Sequence, residues 1–386
     1  MRDFTSSKVK SIKPSGIRKF FDIASSIDGC ISLGVGEPDY ETPRHVSERA
    51  AEAAAKGQTF YTSNQGLPAL RKAILEWNEK AYDLHYGDEE ILVTVGASEA
   101  IDIAIRACIE PGDEVIVPEP CYVCYSADVT LAGGIAKPIR LKEENQFRLT
   151  PEELEAAITP KTKAIILNYP NNPTGAIMEK EDYEKLIPLF EKYDLLVITD
   201  EIYSELTYPH PHCSFASLPG VKERTIYING FSKAYSMTGW RLGYALAPKE
   251  IMAQMIKIHQ FTIMCASTIS QYAGLEAISH GDEDVIKMRD DYNRRRQLMV
   301  SELQRIGLPC FEPKGAFYLF PYIGGTGMTS EEFCLGLLEK EKLIVVPGTA
   351  FGDSGEGFVR ISYAYSEKAL KEGILRLERY LNKIRK

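Results

Sequence analysis

The stretch Gly230-Phe-Ser-Lys233-Ala-Tyr-Ser-Met-Thr-Gly-Trp-Arg241-Leu-Gly243 places two cations in a segment that is otherwise apolar, small and punctuated by glycine. Burying a cation without a partner is costly, so a lysine here is expected to have a lowered pKa or a covalently engaged amine. Schiff-base chemistry needs a neutral amine, and the planar donors of an arginine suit a phosphate. A phosphorylated carbonyl cofactor, for which pyridoxal 5'-phosphate is the candidate, would engage both cations. The alternative is a loop whose two cations reach solvent.

Outward from this stretch, short apolar runs alternate with helical patterns from about residue 90. The predicted strands are Glu90–Val95, Glu114–Val117, Ala164–Leu167, Leu195–Thr199, Thr225–Ile228 and Leu242–Leu246. Nearly continuous apolar runs are typical of strands buried on both faces, which predicts an α/β fold with a mostly parallel central sheet flanked by helices. Ligands of such sheets bind beyond the carboxyl ends of the strands.

After about residue 285 the pattern changes to a long charged helix, short strands near residues 316–320 and 358–361, and a basic amphipathic helix. This pattern predicts a smaller α+β domain. The expected organisation is an N-terminal arm with part of the small domain (1–45), a large cofactor-binding domain (46–284) and a small C-terminal domain (285–386). The run Arg294–Arg296 is interpreted as a solvated helix face.

Composition narrows the class of protein. The 386 residues are 44% hydrophobic and 26% charged, with a net charge of -9, which argues against a nucleic-acid surface and against binding to an anionic membrane. No apolar run reaches the roughly 18 residues of a membrane span, and the N-terminus lacks a signal-peptide core. A cytoplasmic location is therefore expected. Eight dispersed cysteines favour a reducing compartment over a disulfide framework.

Two short motifs are weak candidates for metal or redox chemistry. Cys121 and Cys124 have CxxC spacing but no second pair, and His210, His212 and Cys213 lie in a proline-rich turn. The turn is predicted to be a solvated loop, and no metal site is expected.

Four further signatures follow or interrupt predicted strands. Val95-Gly-Ala-Ser98 joins a strand to a helix start, whose amides can bind phosphate. Asn168-Tyr-Pro-Asn-Asn172-Pro-Thr-Gly175 is a polar turn after a buried strand, and Asp200-Glu-Ile-Tyr203 places a carboxylate at another strand end. Arg360 is a charge within the apolar run Val359–Ile361, where it serves either a ligand or a structural ion pair.

Together these motifs resemble the class I/II aminotransferases, the fold-type I pyridoxal-phosphate enzymes of the aspartate aminotransferase superfamily. The resemblance extends from Leu33 to Arg360 and is closest to prokaryotic aromatic and broad-specificity members. It implies transfer of the amino group of an L-amino acid, aromatic or aspartate, to a 2-oxo acid such as 2-oxoglutarate, in a homodimer with shared active sites. A β-lyase acting on cysteine S-conjugates and a non-enzymatic ligand-sensing module are the alternatives.

The resemblance also implies roles for residues around the cofactor ring. Lys233 would be the Schiff-base lysine and the proton shuttle, and Asp200 would pair with the pyridine nitrogen. Tyr203 and Asn172 would hydrogen-bond the 3'-oxygen, and Tyr122 would stack on the ring.

Phosphate and substrate have implied partners too. Arg241, Ala97 and Ser98 would hold the phosphate, with Tyr61 reaching it from the neighbouring subunit. Many relatives have a serine phosphate ligand where this chain has Gly230, and Ser232 is the candidate substitute. For the substrate's α-carboxylate, the implied ligands are Arg360, Asn172 and the backbone of Gly36. Some dicarboxylate-specific members have a lysine where Ser98 stands, so exclusive use of aspartate is not expected.

Overall fold

The computed structural model describes residues 2–14, 16 and 29–385, so residues 1, 15 and 17–28 of the predicted N-terminal arm lie outside the described residues. The described helices are α1 (Ser7–Ser11), α2 (Arg44–Ala55), α3 (Pro68–Tyr82), α4 (Gly96–Cys108), α5 (Cys124–Ala132), α6 (Pro151–Ala157), α7 (Lys180–Lys192), α8 (Lys249–Thr262), α9 (Thr268–His280), α10 (Asp282–Arg305), α11 (Ser330–Glu341) and α12 (Glu367–Ile384). The described strands are β1 (Ile31–Ser32), β2 (Ile91–Thr94), β3 (Glu114–Glu119), β4 (Ile135–Arg140), β5 (Thr162–Asn168), β6 (Leu196–Asp200), β7 (Thr225–Gly230), β8 (Gly243–Leu246), β9 (Tyr318–Leu319), β10 (Leu343–Ile344), β11 (Val346–Pro347) and β12 (Val359–Ser362). Across these ranges, no helix is both long and apolar enough to cross a membrane.

The central sheet has seven strands in the order β2-β8-β7-β6-β5-β3-β4. Only β8 runs antiparallel to its neighbours, and the other pairs are parallel. The mostly parallel sheet flanked by helices confirms the predicted α/β class. Strand β4, which the sequence pattern did not predict, lies at the edge.

The apolar runs are continuous because both faces of the sheet are covered. In β2, Leu92 packs with Ile101 of α4 in one cluster, whereas Ile91 and Val93 pack with Ile74 of α3 in another. Side chains of a strand alternate between the two faces, so each face has its own core.

Two smaller sheets lie outside the central one. Strand β1 pairs parallel with β10, and β11, β12 and β9 form an antiparallel sheet. Both share a core with α10, α11 and α12. The pairing of β1 with β10 is consistent with an arm that joins the small domain, and the domain limits at residues 45 and 284 stay a prediction.

The interpretation of Arg294–Arg296 as a solvated face is wrong for two of the three residues. Arg295 donates to both carboxylate oxygens of Asp39 at 2.8 Å, and Arg296 donates to Glu312 at 2.6 Å and to the carbonyl of Pro313 at 3.0 Å. Only the Arg294 side chain is largely exposed, at 73%. Helix α10 thus uses these cations to fasten segments that are distant in sequence.

Candidate active site

A cavity of about 790 Å³ lies beyond the carboxyl ends of β5, β6 and β7. It brings together eleven of the twelve predicted site residues, namely Gly36, Ala97, Ser98, Tyr122, Asn172, Asp200, Tyr203, Ser232, Lys233, Arg241 and Arg360. Asp200 ends β6, Lys233 follows β7, and Arg241 precedes the antiparallel β8, so all three reach the same edge of the sheet.

Lys233 lies within this cavity with no carboxylate partner among the described residues. Its Nζ donates to the carbonyl of Gly36 at 2.6 Å and lies 5.7 Å from the centre of the Tyr203 ring. Burial is the main cause that lowers the pKa of Lys233 to about 8; the positive charges of Arg360 and Arg241 act in the same direction, whereas Glu37 and Asp200 oppose them. A substantial fraction of this amine is therefore neutral near pH 8, as covalent chemistry at a carbonyl requires.

Asp200 is buried, with 3% of its surface exposed, and its carboxylate accepts two hydrogen bonds. The Tyr125 hydroxyl donates to Oδ2 at 2.7 Å, and the Ile202 amide donates to Oδ1 at 3.1 Å. Burial raises the pKa of Asp200 to about 6, and the two donors limit that rise. The carboxylate is thus held in one orientation and is charged at neutral pH. Tyr125 was not singled out in the sequence, because its position inside α5 gives no sign of its partner.

The positive end of α4 meets Arg241 at one corner of the cavity. Gly96 has φ +76°, and a Cβ on it would come within 2.7 Å of Arg241 Nη2. Arg241 Nη1 donates to the carbonyl of Thr238 at 3.1 Å, and the guanidinium has no ion pair within residues 29–385. The first amides of a helix have no partner within it, so the start of α4, with Ala97 and Ser98, and the Arg241 cation line the same cavity as groups that suit an anion.

Ser232 lines the cavity, whereas Gly230 lies in the sheet. A Cβ on Gly230 would come within 2.9 Å of the Gly243 Cα and 3.0 Å of the Leu242 carbonyl oxygen. The close pairing of β7 with β8 therefore leaves no room for the serine that many relatives have there.

Arg360 is buried at 2% exposure between two aromatic rings. Its guanidinium carbon lies 4.4 Å from the Tyr318 ring centre and 4.6 Å from that of Phe351. Nη1 donates to Asn172 Oδ1 at 2.7 Å and Nη2 donates to the Gly34 carbonyl at 2.6 Å, whereas Nε is buried without a partner. No carboxylate pairs with Arg360 in the described part of the chain. A structural ion pair is thus not what holds this buried charge.

Three aromatic residues line the cavity in addition to Tyr125. Tyr203 and Tyr318 are joined by a hydrogen bond of 2.7 Å between their hydroxyls, and burial raises the pKa of Tyr203 well above its ordinary value. Tyr122 is half-buried in the lining, where burial raises its pKa to about 12. Tyr318 was missed in the sequence, where it was only one residue of an apolar strand.

Tyr61 is the one predicted site residue that does not line the cavity. Its side chain is 81% exposed, next to Phe60 at 82%. The contact of Tyr61 with a phosphate in the neighbouring subunit stays a prediction.

The prediction of a solvated loop at residues 210–213 is wrong for His212. His212 is buried, and its Nε2 lies 2.6 Å from Glu201 Oε2. His210 is exposed and pairs with Glu179. Burial raises the pKa of Cys121 and Cys124 well above the ordinary thiol value, which makes both thiols poor nucleophiles. Among the described residues, no group of three or more His, Cys, Asp or Glu side chains is arranged to hold a metal ion.

Comparison with known proteins agrees with this geometry. The family model "Aminotransferase class I and II" matches residues 28–377. Putative aminotransferase YugH of Bacillus subtilis is 51% identical over 384 residues, covering 99% of this chain and 100% of that protein. Aspartate aminotransferase of Pyrococcus abyssi is 45% identical over 380 residues, covering 97% and 98%. The crystal structure of an aromatic aminotransferase from Pyrococcus horikoshii superposes with a TM-score of 0.90 at 43% identity, covering 95% and 99%.

The chain therefore belongs to the class I and II aminotransferase family. Members use pyridoxal 5'-phosphate, and this chain is a pyridoxal-phosphate-dependent aminotransferase with the fold of that superfamily. The relatives' names do not favour the β-lyase or the ligand-sensing alternative.

Proposed function

We propose that the enzyme transfers the amino group of an aromatic L-amino acid to 2-oxoglutarate or a similar 2-oxo acid, with aspartate as a further donor. The observation that supports amino-acid binding is Arg360, a buried guanidinium without an acidic partner in the described chain, in the same cavity as Lys233. A substrate carboxylate that accepts hydrogen bonds from Arg360 would supply the negative charge that no acidic side chain of the described chain provides.

The residues present fit pyridoxal 5'-phosphate. We assign the phosphate to Arg241, Ser232 and the start of α4, where Gly96 leaves the space that a Cβ would fill. Asp200 would pair with the pyridine nitrogen, and Tyr122 would lie against the ring. When bound, the cofactor supplies an aldehyde for attachment of an amine and a ring that takes up electrons from the substrate's α-carbon.

The catalytic roles follow from the environments of the side chains. Lys233 Nζ, with its lowered pKa, forms the covalent attachment and, when free, takes the substrate's α-proton and later returns a proton. The hydrogen bonds from the Tyr125 hydroxyl and the Ile202 amide favour the charged form of the Asp200 carboxylate, which would pair with the protonated pyridine nitrogen. Tyr203 and the side-chain nitrogen of Asn172 are assigned as donors to the 3'-oxygen.

Substrate preference is argued from the remaining lining. The cavity's cations in the described chain are Lys233, Arg241 and Arg360, and each already has an assigned role. A second substrate carboxylate would depend on neutral donors such as Thr238 or on a partner subunit. Aliphatic lining such as Val35 and Ile101 suits an aromatic side chain. Aspartate is retained because the Pyrococcus abyssi relative is named for it.

The test is a set of single half-reactions. Holoenzyme is mixed with tyrosine, phenylalanine, tryptophan, aspartate, glutamate or cystathionine without an acceptor, and loss of the bound cofactor's absorbance gives each rate. Aromatic donors are expected to react fastest. A much faster reaction with aspartate would reverse the order of substrates, and pyruvate with ammonia from cystathionine without amino transfer would contradict the proposal.

Two variants test the assigned residues in the same assay. Arg360→Lys keeps the charge but loses the planar donors, so KM for every amino acid is expected to rise about a hundredfold, the size of one or two charged hydrogen bonds. Lys233→Ala is expected to abolish amino transfer. Transfer at the wild-type rate by Lys233→Ala would refute the assignment of that lysine.

We further propose a homodimer with shared active sites, a cytoplasmic location and the domain limits 1–45, 46–284 and 285–386. The exposed pair Phe60 and Tyr61 supports a subunit interface. The eight free cysteines support a reducing compartment.

A further inference from the structure

Tyr318 contacts three functional parts of the cavity at once. Its ring faces the Arg360 guanidinium at 4.4 Å, and its hydroxyl is hydrogen-bonded to that of Tyr203 at 2.7 Å. The same hydroxyl lies over Gly36, where an added Cβ would come within 2.5 Å of it, and the Gly36 carbonyl accepts from Lys233 at 2.6 Å. Tyr318 therefore lies between the substrate's carboxylate site and the groups assigned to the cofactor.

Packing alone does not explain a tyrosine here. A phenylalanine would fill the same space, whereas a buried hydroxyl without a partner is costly. Within residues 29–385, the Tyr203 hydroxyl has Tyr318 as its hydrogen-bond partner. A hydroxyl has one proton and two acceptor lone pairs. The Tyr203 hydroxyl can therefore donate its proton into the cavity only if it accepts, rather than donates, in its hydrogen bond with Tyr318.

We propose that Tyr318 is a positioning residue with two separable functions: its hydroxyl donates to Tyr203 and so directs the Tyr203 proton into the cavity, and its ring holds the Arg360 guanidinium in place for a carboxylate. The first function strengthens Tyr203 as a donor, because hydrogen bonds in series polarise one another. The second uses the attraction between a cation and an aromatic face. The inference rests on the roles proposed above for Tyr203 and Arg360.

The hydroxyl is tested with Tyr318→Phe, which keeps the ring. The readout is the pH midpoint at which the absorbance of the Lys233-bound cofactor changes in the resting holoenzyme, without substrate. Weaker donation from Tyr203 leaves more negative charge on the cofactor oxygen, so the midpoint is expected to rise by about 0.5 to 1 pH units, the size of one hydrogen bond. Besides Tyr203 and Tyr318, the charged and titratable groups that line the cavity are all unchanged in this variant: Glu37, Tyr122, Tyr125, Asp200, Lys233, Arg241 and Arg360.

A double-mutant cycle shows whether the effect passes through Tyr203. Tyr203→Phe is expected to raise the midpoint at least as much, and adding Tyr318→Phe to it should cause no further rise. If Tyr203→Phe shifts the midpoint but Tyr318→Phe does not, or if the two shifts add, the inference about Tyr318 is overturned while the role of Tyr203 stands. If Tyr203→Phe causes no shift, the proposed role of Tyr203 fails as well.

The ring is tested by binding of a carboxylate inhibitor, 3-phenylpropionate, to the same holoenzymes. Tyr318→Phe is expected to leave its Kd within about twofold, and Tyr318→Leu to weaken it about tenfold, as for loss of a buried cation–π contact. Equal weakening in both variants would overturn the second function. Cofactor stoichiometry and thermal unfolding confirm that each variant is folded and carries the cofactor. Tyr363→Phe is the matched control for a general loss of packing. It removes a buried hydroxyl that donates to the Ala316 carbonyl at 3.1 Å.

Discussion

At the scale of the residue, the buried carboxylate of Asp200 lowers the stability of the folded apoenzyme when it is charged. Burial raises the pKa of Asp200 from 3.8 to about 6, so the folded apoenzyme binds the proton more tightly than the unfolded chain does. Stability is therefore lost as pH rises through this interval, and above pH 6 the loss approaches about 3 kcal/mol. A cation bound against the carboxylate would restore it.

Asp200→Asn is accordingly expected to make the apoenzyme more stable at pH 8, because the buried charge disappears while the Ile202 amide keeps an oxygen acceptor. The gain in Tm should shrink at pH 5, where the wild-type carboxyl is protonated. With pyridoxal 5'-phosphate present, the order should reverse, since the wild type alone offers a counter-charge. Differential scanning fluorimetry at the two pH values, with and without the cofactor, measures all of this; a variant less stable than wild-type apoenzyme at pH 8 contradicts the expectation.

Residue type was more predictable than residue partnership. The sequence was sufficient to predict four charged site residues, because each is a charge within or next to an apolar segment: Lys233, Asp200, Arg241 and Arg360. His212, Arg296 and Tyr318 did not, since their partners Glu201, Glu312 and Tyr203 lie 11, 16 and 115 residues away in the chain. Nothing in a single sequence records such a pairing, so solvated loops and faces were predicted where buried contacts occur.

At the scale of the element, the junction of β2 and α4 provides the space for Arg241. Gly96 adopts φ +76°, which L side chains avoid, and any Cβ would meet the Arg241 guanidinium at 2.7 Å. Gly96→Ala is expected to move Arg241 and to weaken pyridoxal 5'-phosphate binding at least about tenfold, with a lower Tm from the strained backbone. Equilibrium dialysis or fluorescence titration of the apoenzyme measures the affinity.

Gly239→Ala is the matched control, because an added Cβ there meets no atom within 4 Å and the residue does not have a positive φ. Both glycines lie close to Arg241, one in space and one in sequence. Unchanged affinity in Gly96→Ala, or an equal loss in the control, would mean that the shape of this junction does not set phosphate binding.

The elements themselves were predictable in proportion to their burial. Within β5 and β7, the stretches Ala164–Leu167 and Ile226–Ile228 are apolar and buried because both faces of the sheet are covered there. Strand β4 was not predicted because it lies at the edge of the sheet. Only Ile139 is buried there, and Lys137 and Pro138 interrupt the apolar pattern. The antiparallel direction of β8 could not be predicted from the residues of the strand itself, because direction depends on the length of the connection between β7 and β8.

At the scale of the whole molecule, an exposed apolar surface is the candidate interface of the proposed homodimer. It consists of Phe60, Tyr61, Phe261, Ile263 and Met264, with exposures from 43% to 87%. The two segments are joined by hydrogen bonds from Thr268 to the Phe60 carbonyl at 2.7 Å and from Asn64 to the Met264 carbonyl at 2.8 Å. A contiguous exposed apolar patch of this kind is typical of a protein interface.

Phe261→Asp is expected to shift the enzyme from dimer to monomer in analytical ultracentrifugation, because a charge would have to be buried at the interface. Leu375→Asp is the control, since Leu375 is 48% exposed on α12, outside this surface. A dimer that persists in Phe261→Asp would place the interface elsewhere.

Shared active sites are tested by complementation between two defective chains. Tyr61→Ala lacks the tyrosine proposed to reach the phosphate of the neighbouring subunit, and Lys233→Ala lacks the covalent attachment. In a mixed dimer, one site combines the intact Lys233 of the first chain with the intact Tyr61 of the second, so mixing after reversible dissociation should restore activity above the sum of the two variants. Because Tyr61 is 81% exposed and absent from the cavity of its own chain, no such gain is possible if the site is complete within one subunit. Failure to complement, with mixed dimers demonstrated by differential tags, would show that Tyr61 acts only at the surface.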